Sequence, residues 1–590
     1  MYVFKIIANG SIICIIALSK LICTFKIATP PLQAFDVIVV GGGHAGTEAA
    51  TAAARIGAKT LLITPKLSSI GELSCNPSIG GIGKGNLVCE IDALDGIMGK
   101  CADLSAISFR CLNRSKGPAV VGPRAQIDRD LYKLHIRELL KDYKNLWFLE
   151  GLVDDVILEP SSEGSSVTNR NDIKDEPLDN TEEQLKVNGV KLKGGKEISS
   201  KTVILTTGTF LRGRCHISKK TNQGGRIDRI TGEFESSSEG LANLFNKLKI
   251  ATKRFKTGYE EAGALGIIAG INAALKSLNR DEHFILNRDE GYLGILIDDL
   301  VRKGINEPYR MFTSRSEYRL QNRVDNGDLR MLVKGVKHGV LKDKRRIELM
   351  KVKYRKSIEL ISLLKSLSSS RSYWGLKDDI QGRTAWDMLK AGKKYEEIKT
   401  QVEELLKSIK ENEFEEFYRK YEKYQREELP LSNLETEAIN YLFAINTDDA
   451  DANNSTFDET EESMERNLEK LDDDKADLKI SGACRVARTH ELIELINSVN
   501  NHIIAFVEAQ AKYSSFVRRY RSQYHRAATG RKIYIHPDIK YNRDNFKFMS
   551  HEEIEILTKK RPETIQEAME LPGVTPATVV HLMNYMIKSN

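Results

Sequence analysis

The chain has 590 residues, with 89 Lys and Arg against 82 Asp and Glu and a net charge of +7. Such a length exceeds what one hydrophobic core fills, so several domains are expected, and the near-balance of charge leaves local patches to decide whether a polyanion is bound. The eight cysteines, at positions 14, 23, 75, 89, 101, 111, 215 and 484, contain no C-x-x-C pair and no regular framework, which argues for a reducing compartment and against a structural zinc site.

Residues 1–33 differ in composition from the rest. Lys5 precedes an apolar run, Ile6 to Cys23, broken by Asn9, Gly10, Ser11 and Ser19, and no acidic residue occurs before Asp36. This composition suits a targeting leader rather than a retained membrane span. An organelle address is expected, mitochondrial first and plastid-type second, although a mitochondrial presequence should be richer in Arg.

Phe35 to Gly46, FDVIVVGGGHAG, gives a short β-branched run and then Gly41, Gly43 and Gly46 in G-x-G-x-x-G spacing, followed by the Ala-rich TEAATAAARIG. The order is strand, tight turn, helix, which predicts a dinucleotide site at Gly41, Gly42, Gly43, His44, Ala45 and Gly46, with a diphosphate at the helix N-terminus. A second strand, Thr60 to Thr64, ends in Thr64-Pro65-Lys66, where an acidic residue would clamp an NAD-type ribose. That clamp is not supported.

Four glycines follow in Ser78-Ile79-Gly80-Gly81-Ile82-Gly83-Lys84-Gly85, but Ser78 and Gly85 stand where a Walker A loop needs Gly and Ser or Thr. Composition alone reads this as a flexible loop. The polar stretch from Glu159 to Gln184 is expected as a solvated insertion, Asn188-Gly189 as a hairpin turn, and Lys201 to Thr207 as a strand ending at Gly208. Beyond Leu275 the pattern turns helical. Arginines interleave with aromatics in Glu307-Pro308-Tyr309-Arg310-Met311-Phe312-Thr313-Ser314-Arg315-Ser316-Glu317-Tyr318-Arg319, which suits phosphate contact with base stacking; the alternative is an ion-pair network through Glu307, Glu317 and Asp325. From Leu341 to Glu428 charged residues alternate over a helical apolar period. Residues 446–477 are acidic and are expected as a disordered insertion, and Thr575-Pro576 reads as N-cap and first residue of a last helix.

Taken in order, GGGHAGTEAA, SCNPSIGGIGKG, SKGPAV with PRAQIDR, TTGTFLRG, YEEAGALGIIAGINAA and EPYRMFTSRSEYRL resemble the GidA/MnmG family from about Phe35 to the C-terminus. The resemblance implies an α/β Rossmann-type FAD-binding domain, here incomplete, followed by a mostly α-helical C-terminal region. It implies modification of carbon 5 of the wobble uridine of certain tRNAs, with FAD, NADH, an MnmE-type GTPase partner and a homodimer. It also places Val153 by the adenine half of FAD, Gly208 where a strand nears the cofactor, and Cys75 at the reactive flavin region. A thiolate there would add to carbon 6 of a uracil, helped by a loop of free N–H groups beside Lys84; the alternative is a small buried hydrophobe. Lys116, Arg310, Arg315 and Arg319 become the tRNA-contact candidates.

The pattern departs from the family at one joint. Phe255-Lys256-Thr257-Gly258 runs directly into Tyr259-Glu260-Glu261-Ala262, where the family has much of a domain between its K-T-G-T-P-P and N-G-T-T-G-Y-E-E-A motifs. A second cysteine, the nicotinamide-binding subdomain and a glutamine-bearing strand over the flavin are missing with it, which is expected to leave the cofactor cleft open and the catalysis damaged. The domains expected are a leader at 1–33, the FAD domain at 34–275, a helical RNA-contact domain at 276–445, the acidic insertion at 446–477, and a helical partner and tRNA domain at 478–590. Rival functions are a generic flavin oxidoreductase and a non-catalytic tRNA- or partner-binding protein.

Overall fold

A computed structural model describes residues 3–8, 11–16, 34–160, 185–208, 211, 213–217, 220–223, 239–248, 257–303, 308–376, 382–428, 482–528, 534–571 and 573–589. Most of the expected leader, the insertion from residue 161 to 184, the acidic stretch, Thr209, Glu307 and Pro572 lie outside these residues. The chain forms two compact units: residues 1–78, 96–108 and 125–283, and residues 79–95, 109–124 and 284–590.

In the first unit, β1 (Val3–Ala8) and β2 (Ser11–Ile16) pair antiparallel. The main sheet begins with β3 (Phe35–Val40) and β4 (Thr60–Thr64), continues through β5 (Leu146–Glu150), β6 (Val153–Pro160) and β7 (Leu185–Leu192), and ends with β8 (Glu197–Leu205). Its strand order is β5-β4-β3-β8-β7-β6. The four strands β5, β4, β3 and β8 run parallel, and β7 and β6 add antiparallel neighbours. Val37 to Val39 and Leu61 to Ile63 are fully buried, the near-continuous apolar run a parallel strand covered on both faces requires.

Asn188-Gly189 is not the hairpin turn expected. β7 runs straight through it, with a register shift between Val187 and Gly189, and the chain turns at Lys193–Lys196 instead. Gly189 serves as a bulge: its φ is +147°, and an added Cβ would lie 2.1 Å from the Ile198 oxygen. The turn chemistry was supplied by Gly194 and Gly195, both at positive φ.

Three helices complete the site-bearing part of this unit: α1 (His44–Ile56), α2 (Arg129–Lys141) and α3 (Tyr259–Ser277). α3 lies against α1 through Gly266 and Gly270, where an added Cβ would sit 2.1 and 2.2 Å from the Ala45 and Ala49 oxygens. Small residues one helical turn apart on α3 let the two backbones approach closely, which fixes α3 beside the glycine turn.

The second unit is largely helical, and its units of packing differ from the domains expected. Residues 79–95 and 109–124 belong to it rather than to the dinucleotide domain. Leu492, Ile496, Phe506 and Val507 share one core with Tyr354, Leu363, Trp374 and Phe414, so the acidic stretch does not separate two cores. A distinct C-terminal core begins later, at Ile535, and runs to Met586. Among the described residues no helix is long and apolar enough to cross a membrane, and no group of His, Cys, Asp or Glu could hold a metal ion.

Candidate functional site

The three motif glycines each meet a different constraint. Gly41 has φ +116° and touches Thr206, whose hydroxyl donates to the Val40 oxygen at 2.8 Å; only glycine takes this turn without strain. At Gly46 an added Cβ would fall 1.8 Å from the Gly41 oxygen, so helix and strand pack too closely for any side chain. At Gly43 an added Cβ meets nothing within 4 Å among the described residues, although this residue caps α1 with no side-chain cap of its own. Gly43 thus faces open space over a helix N-terminus, where free N–H groups favour an anion. A cradle that a methyl group would fill, beside the spacing that a diphosphate needs, fits a dinucleotide.

Ala45, Gly208, Val153 and His44 are also expected at the cofactor. Ala45 lies under α3, and Gly208, at φ +55°, also has no neighbour within 4 Å of an added Cβ among the described residues. Val153 starts β6 with its side chain in the sheet core, among Phe35, Ile38 and Leu61, so that side chain has a packing task. His44 is buried, its Nε2 has no hydrogen-bond partner among the described residues, and burial pushes its pKa down to about 4. It is therefore neutral at pH 7.

Cys75 is exposed, against the alternative of a buried hydrophobe. Both its peptide groups are held: its N–H donates to the Tyr259 hydroxyl at 2.5 Å, and its oxygen accepts from the Arg129 guanidinium. The Tyr259 ring lies 4.6 Å from the His44 ring, which in turn stacks on Tyr132 at 5.8 Å. One tyrosine therefore touches both the glycine motif and the thiol loop. The other described thiols contrast with Cys75 in part: burial pushes Cys89 and Cys101 up to about 12, while Cys111 is exposed.

In the second unit the glycine-rich stretch is packed, not the flexible loop that its composition suggests. Gly80 and Gly83 are at positive φ, and an added Cβ would lie 2.3 Å from the Pro123 oxygen and 2.6 Å from the Met311 oxygen. The basic aromatic segment thus lies against this loop. Its organiser is Arg288, which sequence reasoning missed: the guanidinium contacts Glu317 at 2.7 Å, Asp299 at 2.6 Å and Asp298 at 2.9 Å. Those partners hold it fully charged, against the opposing effect of burial. Tyr309 donates to Asp299 at 2.7 Å, and Arg315 stacks 4.6 Å over the Tyr309 ring while donating to the Arg310 oxygen.

The ion-pair alternative therefore holds for Glu317, and for Asp325 through Arg323 at 2.9 Å. It does not consume the whole segment. Arg319 and Phe312 remain exposed, as does Lys116 on a separate loop. Arg310 is half-buried, with Nη1 lacking a hydrogen-bond partner among the described residues.

Residues 36–258 match the family "Glucose inhibited division protein A", and residues 523–590 match the "tRNA modifying enzyme MnmG/GidA C-terminal helical bundle". A protein of Wolinella succinogenes described as "tRNA uridine 5-carboxymethylaminomethyl modification enzyme MnmG" is 32% identical over 546 residues, covering 62% of this chain and 83% of that protein. The chain belongs to the GidA/MnmG family. A protein of Granulibacter bethesdensis with the same description is 32% identical over 491 residues, 54% of this chain and 74% of the relative. Aquifex aeolicus GidA, solved in two crystal forms, shares the fold at a TM-score of 0.59 and 24% identity, covering 95% of this chain and 100% of that one in form II.

The alignment to the Wolinella MnmG is longer than the part of this chain that it covers. Since 62% of 590 residues is about 366, some 180 of the 546 positions aligned to the Wolinella MnmG have no residue opposite them in this chain. The match to the GidA family description also ends at Gly258, the residue before the joint. Tyr259 begins α3, and Gly258 caps that helix in extended conformation.

Proposed function

We propose that this chain derives from, and retains the cofactor turn and thiol loop of, an FAD-dependent enzyme that modifies carbon 5 of wobble uridine in tRNA. The observation that carries the reading is Gly43, open over the N-terminus of α1 in a member of the GidA/MnmG family. Gly41 to Gly46 would hold the FAD diphosphate, with Gly208 near the cofactor. Bound flavin would supply the redox chemistry by which a one-carbon unit is carried. Cys75 would act on the base: its thiolate adds to carbon 6 of the uracil, electron density moves to carbon 5, and that carbon bonds to the incoming unit. Loss of the carbon-5 proton and departure of the thiolate then restore the ring.

Lys116, Arg310, Arg315 and Arg319 would meet the tRNA, Arg319 most directly because it is exposed and Arg315 through the shape it gives the segment. An MnmE-type GTPase, NADH, a homodimer and an organellar, first mitochondrial, setting complete the proposal on family resemblance. A second reading is favoured by the gap after Gly258: a chain that binds tRNA without catalysing its modification.

The test restores the Wolinella MnmG segment between Gly258 and Tyr259 and expresses both chains in a bacterium lacking its own enzyme, followed by nucleoside analysis of its tRNA. Modification by the restored chain, lost on Cys75→Ser with flavin retained, is the expected result. An inactive restored chain that binds flavin would overturn the catalytic reading, and tRNA binding by such a chain would select the second.

A further inference from the structure

We infer that the turn Arg114–Lys116 and the exposed face of the helix Asn501–Ala528 form one surface for RNA, with cations for the phosphates and Phe516 for an unpaired base. This deepens the tRNA reading and rests on it.

Two stretches of sequence without acidic residues meet here. Between Asp103 and Asp128 the chain carries four lysines and arginines and no acidic residue, and between Glu508 and Asp538 it carries seven and again none. Residues 109–124 and the helix belong to the same compact unit. Tyr513 joins them: its hydroxyl accepts the Ala119 N–H at 3.4 Å, from 394 residues away in the chain. At Gly117, with φ +100°, an added Cβ would lie 3.0 Å from the Tyr513 oxygen and 3.5 Å from the Lys512 nitrogen, so the residue after Lys116 is held against the helix. Arg323, buried and paired with Asp325 at 2.9 Å, lies over the Tyr513 ring at 5.8 Å and fixes it further.

This packing gathers cations without their counter-charges. Arg114, Lys116, Lys512, Arg518 and Arg519 are exposed, and none has a carboxylate partner among the described residues. Elsewhere in the same unit exposed cations are paired, as Arg419 is with Glu415 at 2.7 Å and Lys420 with Glu416 at 2.8 Å. Lys512, Phe516 and Arg519 follow one another at spacings of four and three, which places them on one helix face over about 10 Å of axis. Phe516 is 49% exposed, and the Arg519 guanidinium lies over its ring at 6.0 Å. A polyanion relieves the mutual repulsion of such cations and releases its own counterions, and a bare ring among arginines stacks an unpaired base. The ring is what favours RNA over an acidic protein surface.

The experiment titrates a labelled, unmodified tRNA transcript with the full chain by fluorescence anisotropy, at potassium chloride from about 50 to about 200 mM. Removing Lys512 and Arg519 together, as Lys512→Ala with Arg519→Ala, should weaken binding about tenfold at low salt and lower the slope of log affinity against log salt by about two. Lys116→Ala, on the other element, should lower the slope by about one. Phe516→Ala should weaken binding at least about fivefold and leave the slope unchanged, because stacking releases no counterion. Arg419→Ala, at a paired cation, should change neither. All five positions are exposed, so thermal melts should match those of the parent chain.

A tRNA bound as tightly, and with the same slope, by the Lys512 and Arg519 variant overturns the surface and leaves these cations to an acidic protein partner. A change in that variant but none in Lys116→Ala overturns the joining of the two elements, and unchanged binding by Phe516→Ala overturns the assignment to an unpaired base. A parent chain that binds no tRNA overturns the surface and the tRNA reading together, whereas tRNA binding that ignores these variants overturns the surface alone.

Discussion

An alanine methyl at Gly43 would meet no atom of the described residues within 4 Å, whereas at Gly46 it would press to 1.8 Å on the Gly41 oxygen. Gly43→Ala should therefore leave the melting temperature unchanged and weaken FAD binding at least tenfold, because the methyl occupies the space of the diphosphate. Gly46→Ala should instead destabilise the unit by about 1–3 kcal/mol or more, the cost of overpacking where neither backbone can retreat. Thermal melts and flavin titrations on the two variants separate these outcomes; equal loss of stability in both would refute the cradle. The spacing of these glycines was legible because the turn is local in sequence. Thr206, which closes over Gly41, and Tyr259, which holds Cys75, were not legible, since their partners lie more than 160 residues away along the chain. The G-x-x-x-G spacing of Gly266 and Gly270 was the one sequence signal that could have placed α3 against another helix.

At the scale of elements, the segment from Pro308 to Arg319 is shaped by a buried cation that sequence patterning could not nominate. Arg288→Gln would leave Asp298, Asp299 and Glu317 without their shared charge, and a broken buried pair typically costs about 3–5 kcal/mol. A fall of that order in denaturant unfolding is expected, while Arg319→Ala should leave stability unchanged, weaken tRNA binding, and lower the salt dependence of binding by about one counterion. The last helices, residues 551–560 (helix His551–Lys560) and 576–589 (helix Pro576–Ser589), are tied by Glu553, whose carboxylate accepts from the Thr575 and Thr578 hydroxyls at 2.6 Å each and from the Ser550 N–H at 2.8 Å. Burial opposes its charge, but these donors outweigh burial and hold it below the usual carboxylate range. A depressed folded pKa contributes stability that is present above the unfolded value of about 4.3 and is lost as pH falls through the folded value. Protection of the described amides in residues 551–589, measured against their intrinsic exchange rates, should therefore fall in acid, and Glu553→Gln should remove that pH dependence. Thr575 was readable as a helix cap from its place before Pro576; Glu553, 22 residues away, was not.

For the whole molecule, the division between cores was the least legible feature, because apolar periodicity says that a helix is buried but not against which other helix. Leu492 and Ile496 lie one turn apart on a helix beyond the acidic stretch, yet they complete a core that also draws on residues 329–421. The joint at Gly258 was readable for the opposite reason: it shows as two motifs fused at a shared Thr-Gly. Its consequence falls on the cofactor. The local parts of the cradle survive, since β3, the glycine turn and α1 form from neighbouring residues, but a dinucleotide is ordinarily covered over most of its surface. Among the described residues an added Cβ at Gly208 or Gly43 meets nothing within 4 Å. A missing wall forfeits apolar burial and hydrogen bonds, and each 1.4 kcal/mol lost is about tenfold in affinity, so several kcal/mol would move a tightly held cofactor into the weak range. The chain expressed as it stands should therefore purify without colour and take up added FAD only weakly, and restoring the segment after Gly258 should yield a yellow protein. Flavin absorbance per mole of purified chain is the measurement. Near-stoichiometric flavin in the chain as it stands would show that another part of the molecule, or a second copy, supplies the wall, and the loss inferred from the joint would then be wrong.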